Sequence, residues 1–339
     1  MHTRESFHER SMTLPDELLQ GAVDMHVHVG PHLKSSPRRV DPFEAAEQAR
    51  AAGMRAIVYM DVFMNSSGTA WLVKQRVPGI EVFGGLLLNT CHGGLNPRAV
   101  KTAIQYGTGA SFVSFGTHST YFQASREARL VDGKPVAFHD LYPEFAQEEL
   151  SRAIRIPLED PISAELEEIL ELVGRNQQMF LNTGHVSGEE ALRVVDLAQD
   201  FGIEKILVAS LAVDDMTFEQ QAQAAQAGAF LERSFANLVG TGGVPKTHYY
   251  VERKYLCEAY TRPPKNKLTL RELGDQLRDI GPEHFVVDTD YGMRSLPTPV
   301  EGMRQVMACL LDMEFSTEEI QMMTSWNPAR LLGLPTGGA

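Results

Sequence analysis

Short apolar runs alternate with amphipathic segments along the whole chain, and this order constrains the fold more than any other feature of the sequence. The runs that predict β-strands lie at 22–29, 55–60, 80–88, 110–116, 178–183, 205–209, 228–233 and 284–289. Segments with helical periodicity follow at 42–52, 69–77, 96–106, 163–175, 187–201, 216–227, 268–280 and 298–312. Eight strand-then-helix units in a row favour an α/β fold of the (β/α)8 TIM-barrel class. A doubly wound open sheet is the alternative, but no GxGxxG motif follows any predicted strand.

Two long segments interrupt the alternation. Residues 117–160 contain Asp132-Gly133 between two apolar runs, a pair that is typical of a β-hairpin turn. Residues 234–267 are rich in Gly, Pro, Tyr and Lys. The first segment follows the fourth predicted strand, and the second follows the seventh. Both would therefore stand over the C-terminal ends of the strands, where barrel enzymes have their active sites. We therefore predict a single domain, 1–339, with two lids.

Charge and composition exclude several classes of function. The formal net charge is −13 and the isoelectric point is near 5.3, which argues against a nucleic-acid surface and against binding to anionic membranes. No apolar run reaches the length of a membrane-spanning helix, and the N-terminal segment lacks the apolar stretch of a signal peptide. The three cysteines have no zinc-ribbon spacing, which suits reduced thiols. We expect a cytoplasmic location.

A pair of histidines marks the end of the first predicted strand. His26 and His28 are two residues apart, and side chains at that spacing in a strand point to the same face. Gly30-Pro31 follows and ends the strand, which leaves both imidazoles at its C-terminal tip. Two neutral imidazoles on one face form half of a transition-metal site. The alternative is a surface strand with two solvated histidines.

Two later strands bring further ligands to the same end of a parallel barrel. His185 follows strand five, and Asp290 follows strand eight. Three imidazoles and a carboxylate suit Zn²⁺, Fe²⁺ or Mn²⁺ with one position left for water. Asp288, two residues before Asp290, would point to the same face and is expected to be hydrogen-bonded beneath the ligands.

The chain resembles the amidohydrolase superfamily of metal-dependent TIM-barrel enzymes. The segments that carry the resemblance are 24–28, His185, 289–292 and 325–333, in that order. Residues 82–89 and 93–97 are similar to a poorly characterised, PHP-like amidohydrolase-related subgroup. The resemblance implies that His26, His28, His185 and Asp290 are metal ligands, and that Asp290 also acts catalytically by taking a proton from water.

The chain departs from the family pattern at three strands. Ser210 stands near the place of the histidine that usually ends strand six. Strand four, 111–117, lacks the lysine that bridges two metals in some members, and strand two, 57–62, lacks the Lys and His expected of the subgroup. These departures favour one divalent ion, Zn²⁺ first with Mn²⁺ or Fe²⁺ as alternatives. They are also compatible with a member that has lost its metal or its activity.

Other side chains near strand ends are candidates for completing the site. We predict a catalytic role for His118, which follows Thr117 at a strand end, and substrate-binding roles for His92, Glu232, His248 and Arg253. The last two lie in the second predicted lid and would suit a planar, anionic substrate. For each of these side chains a structural or surface role is the alternative.

The ligand set and the resemblance together predict an enzyme. The main hypothesis is a metal-dependent hydrolase that uses a metal-activated water on a small cyclic amide, ester or lactone. The alternatives are a mononuclear-metal decarboxylase of the same superfamily, a non-catalytic metal-binding or ligand-binding member, and a phosphoesterase. The expected partner is a small-molecule substrate, and the resemblance implies a homo-oligomer.

Overall fold

The computed structural model describes residues 16–33, 37–238 and 268–336, which form a mixed α/β fold. The strands, numbered in chain order, are β1 (Val23–Val27), β2 (Ala56–Tyr59), β3 (Glu81–Gly84), β4 (Leu86–Leu87), β5 (Phe112–Ser114), β6 (Ala128–Val131), β7 (Lys134–Ala137), β8 (Phe180–Asn182), β9 (Ile206–Val208), β10 (Phe230–Ser234) and β11 (Phe285–Asp288). The positions of the predicted strands agree with this set, since the local alternation of apolar residues already defines them.

Two parallel sheets contain all of these strands except β6 and β7. The strand order is β1-β2-β3 in one sheet and β11-β10-β9-β8-β5-β4 in the other. The predicted third strand, 80–88, is divided between the two sheets at Gly85. A Cβ atom there would lie 2.4 Å from the carbonyl oxygen of Phe112, so only glycine allows the neighbouring strand to approach this closely. The division of the predicted third strand therefore results from close backbone packing, which the periodicity of apolar residues does not reveal.

The outer strands of the two sheets, β1 and β11, also contact each other. Val27 and Tyr291 form a parallel bridge, and the His28 N–H donates to the carbonyl oxygen of Tyr291 at 2.8 Å. The carboxyl ends of both strands therefore lie side by side. This contact places residues near the start and the end of the chain at one edge of the fold.

Helices connect the parallel strands. The α-helices span Pro42–Ala51, Ser67–Lys74, Pro97–Gln105, Tyr121–Ala124, Phe138–Leu141, Pro143–Glu148, Ala164–Gly174, Gly188–Asp200, Ser210–Asp215, Phe218–Gln226, Phe235–Leu238, Leu270–Ile280, Pro299–Asp312, Thr317–Gln321 and Asn327–Leu332. Short 3-10 helices occur at Asp16–Leu19, Thr90–His92, Leu150–Arg152 and Pro282–His284, and a π-helix at Met322–Trp326. No helix in the described ranges is both long and apolar enough to cross a membrane.

The segment between β5 and β8 contains the predicted hairpin. Strands β6 and β7 pair antiparallel across Asp132-Gly133, and both turn residues have positive φ angles of 50° and 75°. Phe138, Phe145 and Ala124 form a small core of their own within this segment. The second predicted insertion differs, because its residues 239–267 lie outside the described residues.

Apolar side chains of the strands form two layers. Ile57, Val113 and Leu231 belong to a cluster that also contains the buried faces of the helices. Met25, Phe112 and other strand residues pack against one another in a separate cluster, together with Leu331 and Leu332 of the C-terminal helix. The strands are thus buried on both faces, as expected for parallel sheets that are covered by helices.

Candidate metal centre

The two histidines of the first strand lie side by side at the carboxyl end of β1. Their ring centroids are 4.9 Å apart. The pairing of β1 with β2 shifts register between Asp24 and Val27, so a bulge lies directly beside His26. Bulges re-aim side chains and are frequent next to active sites. The sequence predicts the common direction of the imidazoles, but not this local bend.

Each imidazole has its Nδ1 atom engaged by an acceptor in the protein. Nδ1 of His28 lies 2.5 Å from the carbonyl oxygen of Met60, and Nδ1 of His26 lies 3.0 Å from Oε1 of Glu232. A carbonyl oxygen only accepts, so Nδ1 of His28 carries the proton and donates it. Such partners define the tautomer and orient metal-binding histidines. Both Nε2 atoms are therefore the ones available to a metal.

The carboxylate of Asp290 meets both Nε2 atoms. Its Oδ1 atom is 2.9 Å from Nε2 of His28 and 3.4 Å from Nε2 of His26. One ligand atom from each of the three residues lies within 4.8 Å of the other two. Asp290 has a φ angle of 52°, in the left-handed region that non-glycine residues seldom adopt. Such backbone strain is typical of functional sites.

The donor chemistry of this group fits a divalent cation. Burial and the charge of Arg38 lower the pKa of His28 to about 4, so this imidazole is neutral near pH 7. Its Nε2 lone pair then faces a carboxylate oxygen at 2.9 Å, and a proton or a metal ion shared by these two acceptors would relieve their repulsion. Side-chain exposures of 14%, 10% and 21% for His26, His28 and Asp290 leave the group accessible to a small ion.

Charges within the group are strongly coupled. Burial lowers the pKa of His26, but the carboxylates of Asp290 and Glu232 outweigh burial and raise this pKa to about 9. Burial raises the pKa of Asp290, yet the two histidines outweigh burial and hold it well below its usual range. In the absence of a metal, a proton on His26 therefore supplies the positive charge that the carboxylates require.

Beneath the three ligands lie buried carboxyl groups. Asp24 accepts hydrogen bonds from Oγ1 of Thr289 at 2.6 Å and from the His26 N–H at 3.2 Å, and burial raises the pKa of Asp24 to about 6. Burial and the charge of Glu232 raise the pKa of Asp288 well above its usual value. His26, Glu232 and Asp288 form a second close group of possible ligand atoms. Asp288 is therefore close to His26, but neither of its carboxylate oxygens has a hydrogen-bond partner among the described residues, so the predicted hydrogen bonds are not found.

Glu232 lies between the ring of His26 and the backbone of Ser210. Its side chain is 1% exposed, Oε1 contacts His26, and Oε2 accepts a hydrogen bond from the Ser210 N–H at 2.8 Å. The following residue, Arg233, points to the other face and pairs with Asp214 at 2.7 Å. Ser210 therefore contributes its backbone N–H to the carboxylate of Glu232. The carboxylate of Glu232 thus holds the ring of His26, a candidate metal ligand, and its substrate-binding role stays a prediction.

His185 and His118 form a second pair beside this group. Gly184 before His185 has a φ angle of 67°, and the His185 N–H donates to the carbonyl oxygen of Gly116 at 2.9 Å. The rings of His185 and His118 are 6.5 Å apart, and Nδ1 of His118 lies 3.1 Å from Oε1 of the buried Glu127. In the described part of the chain, His185 is not in either close ligand group, although its charge helps to lower the pKa of Asp290.

The remaining predicted residues lie apart from the ligands or outside the described ranges. His92 ends the 3-10 helix Thr90–His92, and burial lowers its pKa. The adjoining Cys91 lines a cavity of about 10 Å³ together with His118 and the buried Glu149. His248 and Arg253 lie outside the described residues, so the substrate-binding roles of both stay predictions.

Two residues near the ligands were not found by sequence reasoning. Arg38, from the segment that follows β1, acts electrostatically on both His28 and Asp290. Gly292 has a φ angle of 150°, and a Cβ atom there would lie 1.9 Å from the carbonyl oxygen of His28. A glycine that directly follows Asp290-Tyr291 is a sequence pattern from which the importance of Gly292 could be predicted. A lone arginine in a loop offers no such signal.

Comparison with known proteins identifies the family of this chain. Residues 21–232 match the model of a family described as "Family of unknown function (DUF6282)". The chain belongs to this family. The match ends at Glu232 and therefore includes His26, His28 and His185, while Asp290 lies beyond it. No curated protein sequence matches the chain.

Several solved structures with a similar fold carry the names of hydrolytic enzymes. An amidohydrolase from Pseudomonas aeruginosa is 11% identical, with a TM-score of 0.54 over 95% of this chain and 99% of that one. An organophosphorus hydrolase from Deinococcus radiodurans is 14% identical, with a TM-score of 0.51 over 92% of each chain. A beta-aspartyl dipeptidase from Fervidobacterium islandicum AW-1 is 14% identical, with a TM-score of 0.54 over 94% and 74%. At these identities the likeness shows the fold.

Proposed function

We propose that this chain is a metal-dependent hydrolase that acts on a small cyclic amide, ester or lactone. One observation carries the proposal: Nε2 of His26, Nε2 of His28 and Oδ1 of Asp290 converge, while both Nδ1 atoms are engaged by Glu232 and by the Met60 carbonyl oxygen. This arrangement leaves three donors for one ion and an open side for substrate, as in catalytic rather than structural metal sites.

The architecture supports the same proposal. The two sheets contain nine strands, of which β3 and β4 are the two halves of one predicted strand. With these halves counted together, and with β1 against β11, the order supports a ring of eight strands, and we propose that the sheets close into a barrel. The ligands then lie at the C-terminal mouth, where barrel enzymes act. The hairpin segment after β5 would stand over this mouth as a lid, whereas most of the second predicted lid, 239–267, lies outside the described residues. The PHP-like subgroup, the cytoplasmic location and the homo-oligomeric state stay predictions from the sequence.

The side chains have separate roles in this mechanism. His26, His28 and Asp290 would hold one divalent ion, Zn²⁺ first, and His185 would approach it from the end of β8. The ion would supply Lewis-acid polarisation of the substrate and a lowered pKa for water. Asp290, whose carboxylate stays ionised, would accept a proton and return it to the leaving group. Glu232 would keep Nε2 of His26 directed at the ion.

Metal content and turnover test the proposal together. Protein purified without chelators is expected to contain about one equivalent of metal and to hydrolyse members of a panel of lactones, esters and cyclic amides. His26→Ala and Asp290→Asn should lose both properties, whereas His284→Ala, a change at a surface histidine, should keep them. A wild-type protein that binds no transition metal would contradict the proposal. Release of CO₂ without incorporation of ¹⁸O from water would identify a decarboxylase instead.

A further inference from the structure

A guanidinium group lies beside the candidate metal centre without an ion-pair partner among the described residues. The Nε atom of Arg38 is buried and makes no hydrogen bond within the described part of the chain. The carboxylates of Asp290 and Asp61 act on this side chain through space, and burial lowers its pKa to about 10. Arginine stays protonated at neutral pH even so, which leaves a partly buried positive charge at the site.

The backbone holds Arg38 in place. Arg38 bridges antiparallel to Met293, and the neighbouring Arg39 N–H donates to the carbonyl oxygen of Gly292 at 2.8 Å. The Gly30 N–H donates to the carbonyl oxygen of Val40 at 2.9 Å. Segment 38–40 is thus attached both to the loop after β1 and to the loop that carries Asp290. The position of Arg38 relative to the ligands is therefore set by the fold.

A bound cation would leave the charge of Arg38 largely uncompensated. His28, His26 and Asp290 would then be committed to the ion. The remaining carboxylate, Asp61, accepts backbone N–H groups from Phe63 at 2.8 Å and Met64 at 3.1 Å with Oδ1, and it acts on Arg38 only through space. A partly buried guanidinium is most stable with a planar anion that accepts two of its hydrogen bonds.

The geometry points to Arg38 as an anion subsite that binds a carboxylate group of the substrate next to the metal. This inference rests on the proposed function and narrows the substrate class to small cyclic amides, esters or lactones that carry an acid group. The carboxylate would pair with the guanidinium while the reacting carbonyl group faces the ligands. Arg38 would thereby set the orientation and the specificity of binding.

Binding of a simple acid tests the subsite without turnover. Calorimetric titration of the Zn²⁺-loaded and the metal-free protein with benzoate, benzyl alcohol and inorganic phosphate compares anionic, neutral and phosphate probes. Benzoate is expected to bind, whereas benzyl alcohol is not. Arg38→Met should lower the affinity for benzoate about 10- to 100-fold, because a hydrogen bond to a charged group usually contributes that much. Arg39→Met changes an exposed neighbour and is the matched control, with unchanged affinity. Stronger binding of phosphate than of benzoate would overturn the carboxylate assignment.

Kinetics with a matched pair of lactones, one with and one without a carboxylate, tests the same residue in catalysis. Arg38→Met should raise KM for the acidic lactone about 10- to 100-fold, with little change in kcat. KM and kcat for the neutral lactone should stay unchanged. Arg38→Lys should restore part of the loss. Equal effects on both lactones, or wild-type preference for the neutral one, would overturn the inference while metal content and hydrolysis still support the proposed function. A wild-type protein that binds no metal ion would overturn the proposed function itself.

Discussion

At the scale of single residues, the site depends on side chains that orient other side chains. Both nitrogens of His26 are engaged, Nδ1 with Glu232 and Nε2 with Asp290. Glu232 is held in turn by the Ser210 N–H. The carboxylate of Glu232 therefore defines which nitrogen of His26 is free for a metal. Loss of this carboxylate should lower the metal affinity more than the free energy of unfolding.

Replacing Glu232 by Gln tests this role. The amide keeps the size of the side chain, but its NH₂ group would face the N–H of either His26 or Ser210, and two donors repel each other. Loss of such a partner usually lowers metal affinity about 10- to 100-fold. Titration with Zn²⁺ against a competing chelator measures the change, and Glu219→Gln at an exposed helix position is the control. Equal affinity in both variants would contradict the role.

At the scale of elements, the loop after β11 fits tightly against the end of β1. Tyr291 pairs with Val27 and His28 through the backbone, and Gly292 lies directly against the carbonyl oxygen of His28. This close approach brings Asp290 to the two imidazoles. The geometry of the ligands therefore depends on a glycine that takes no part in binding.

Gly292→Ala is expected to destabilise the protein by about 3 kcal/mol and to weaken metal binding, because a Cβ atom would overlap the His28 backbone at an unfavourable φ angle. Gly202→Ala is the matched control. Gly202 also has a positive φ angle, 68°, but no atom lies within 4 Å of its Cβ position. The Gly202→Ala variant should lose only about 1–2 kcal/mol of its free energy of unfolding. Urea denaturation measures both, and equal losses would show that the contact with His28 has no effect.

A buried arginine connects β10 to the surrounding helices. Arg233 is 1% exposed, pairs with Asp214 at 2.7 Å, and donates to the side-chain oxygens of Gln221 and Gln276. Arg233→Ala should cost about 2–4 kcal/mol of stability, because it truncates a buried side chain and leaves the buried side-chain oxygen of Gln221 without its donor. Arg175→Ala removes an exposed pair with Glu171 and should cost less than about 1 kcal/mol. Thermal unfolding that ranks the two variants in the reverse order would contradict this.

At the scale of the whole molecule, the candidate metal centre joins the two sheets. His26 and His28 belong to the end of the three-stranded sheet, and Asp290 follows β11 of the six-stranded sheet. An ion held by all three would connect the first and last parallel strands of the described chain. Because the unfolded chain lacks this arrangement, metal binding should stabilise the folded state.

The expected gain is about 2.7 kcal/mol at a free Zn²⁺ concentration one hundred times the dissociation constant. Thermal unfolding with graded Zn²⁺, and again after chelation, measures it as a rise in Tm that depends on metal concentration. His28→Ala should abolish the rise, whereas His284→Ala, at the surface, should preserve it. A Tm that is independent of Zn²⁺ in the wild-type protein would show that the three ligands do not hold an ion together.

Local pattern determined much of the fold and part of the candidate site. The strands, the helix caps at Asp41 and Ser187, and the Asp132-Gly133 hairpin follow from residues close in sequence, so periodicity and turn chemistry predict them. The proximity of His26 and His28 follows in the same way from a two-residue spacing. Asp290 could be added because parallel strands end at a common edge.

Only the tertiary structure decided which distant side chains meet. The contact of Glu232 with His26, the position of Arg38 beside Asp290, and the division of the third strand at Gly85 each depend on the lateral stagger of strands and on close backbone approach. The separation of His185 from the close ligand groups has the same origin. These distances join residues far apart in the chain, and the alternation of apolar and polar residues carries no information about them.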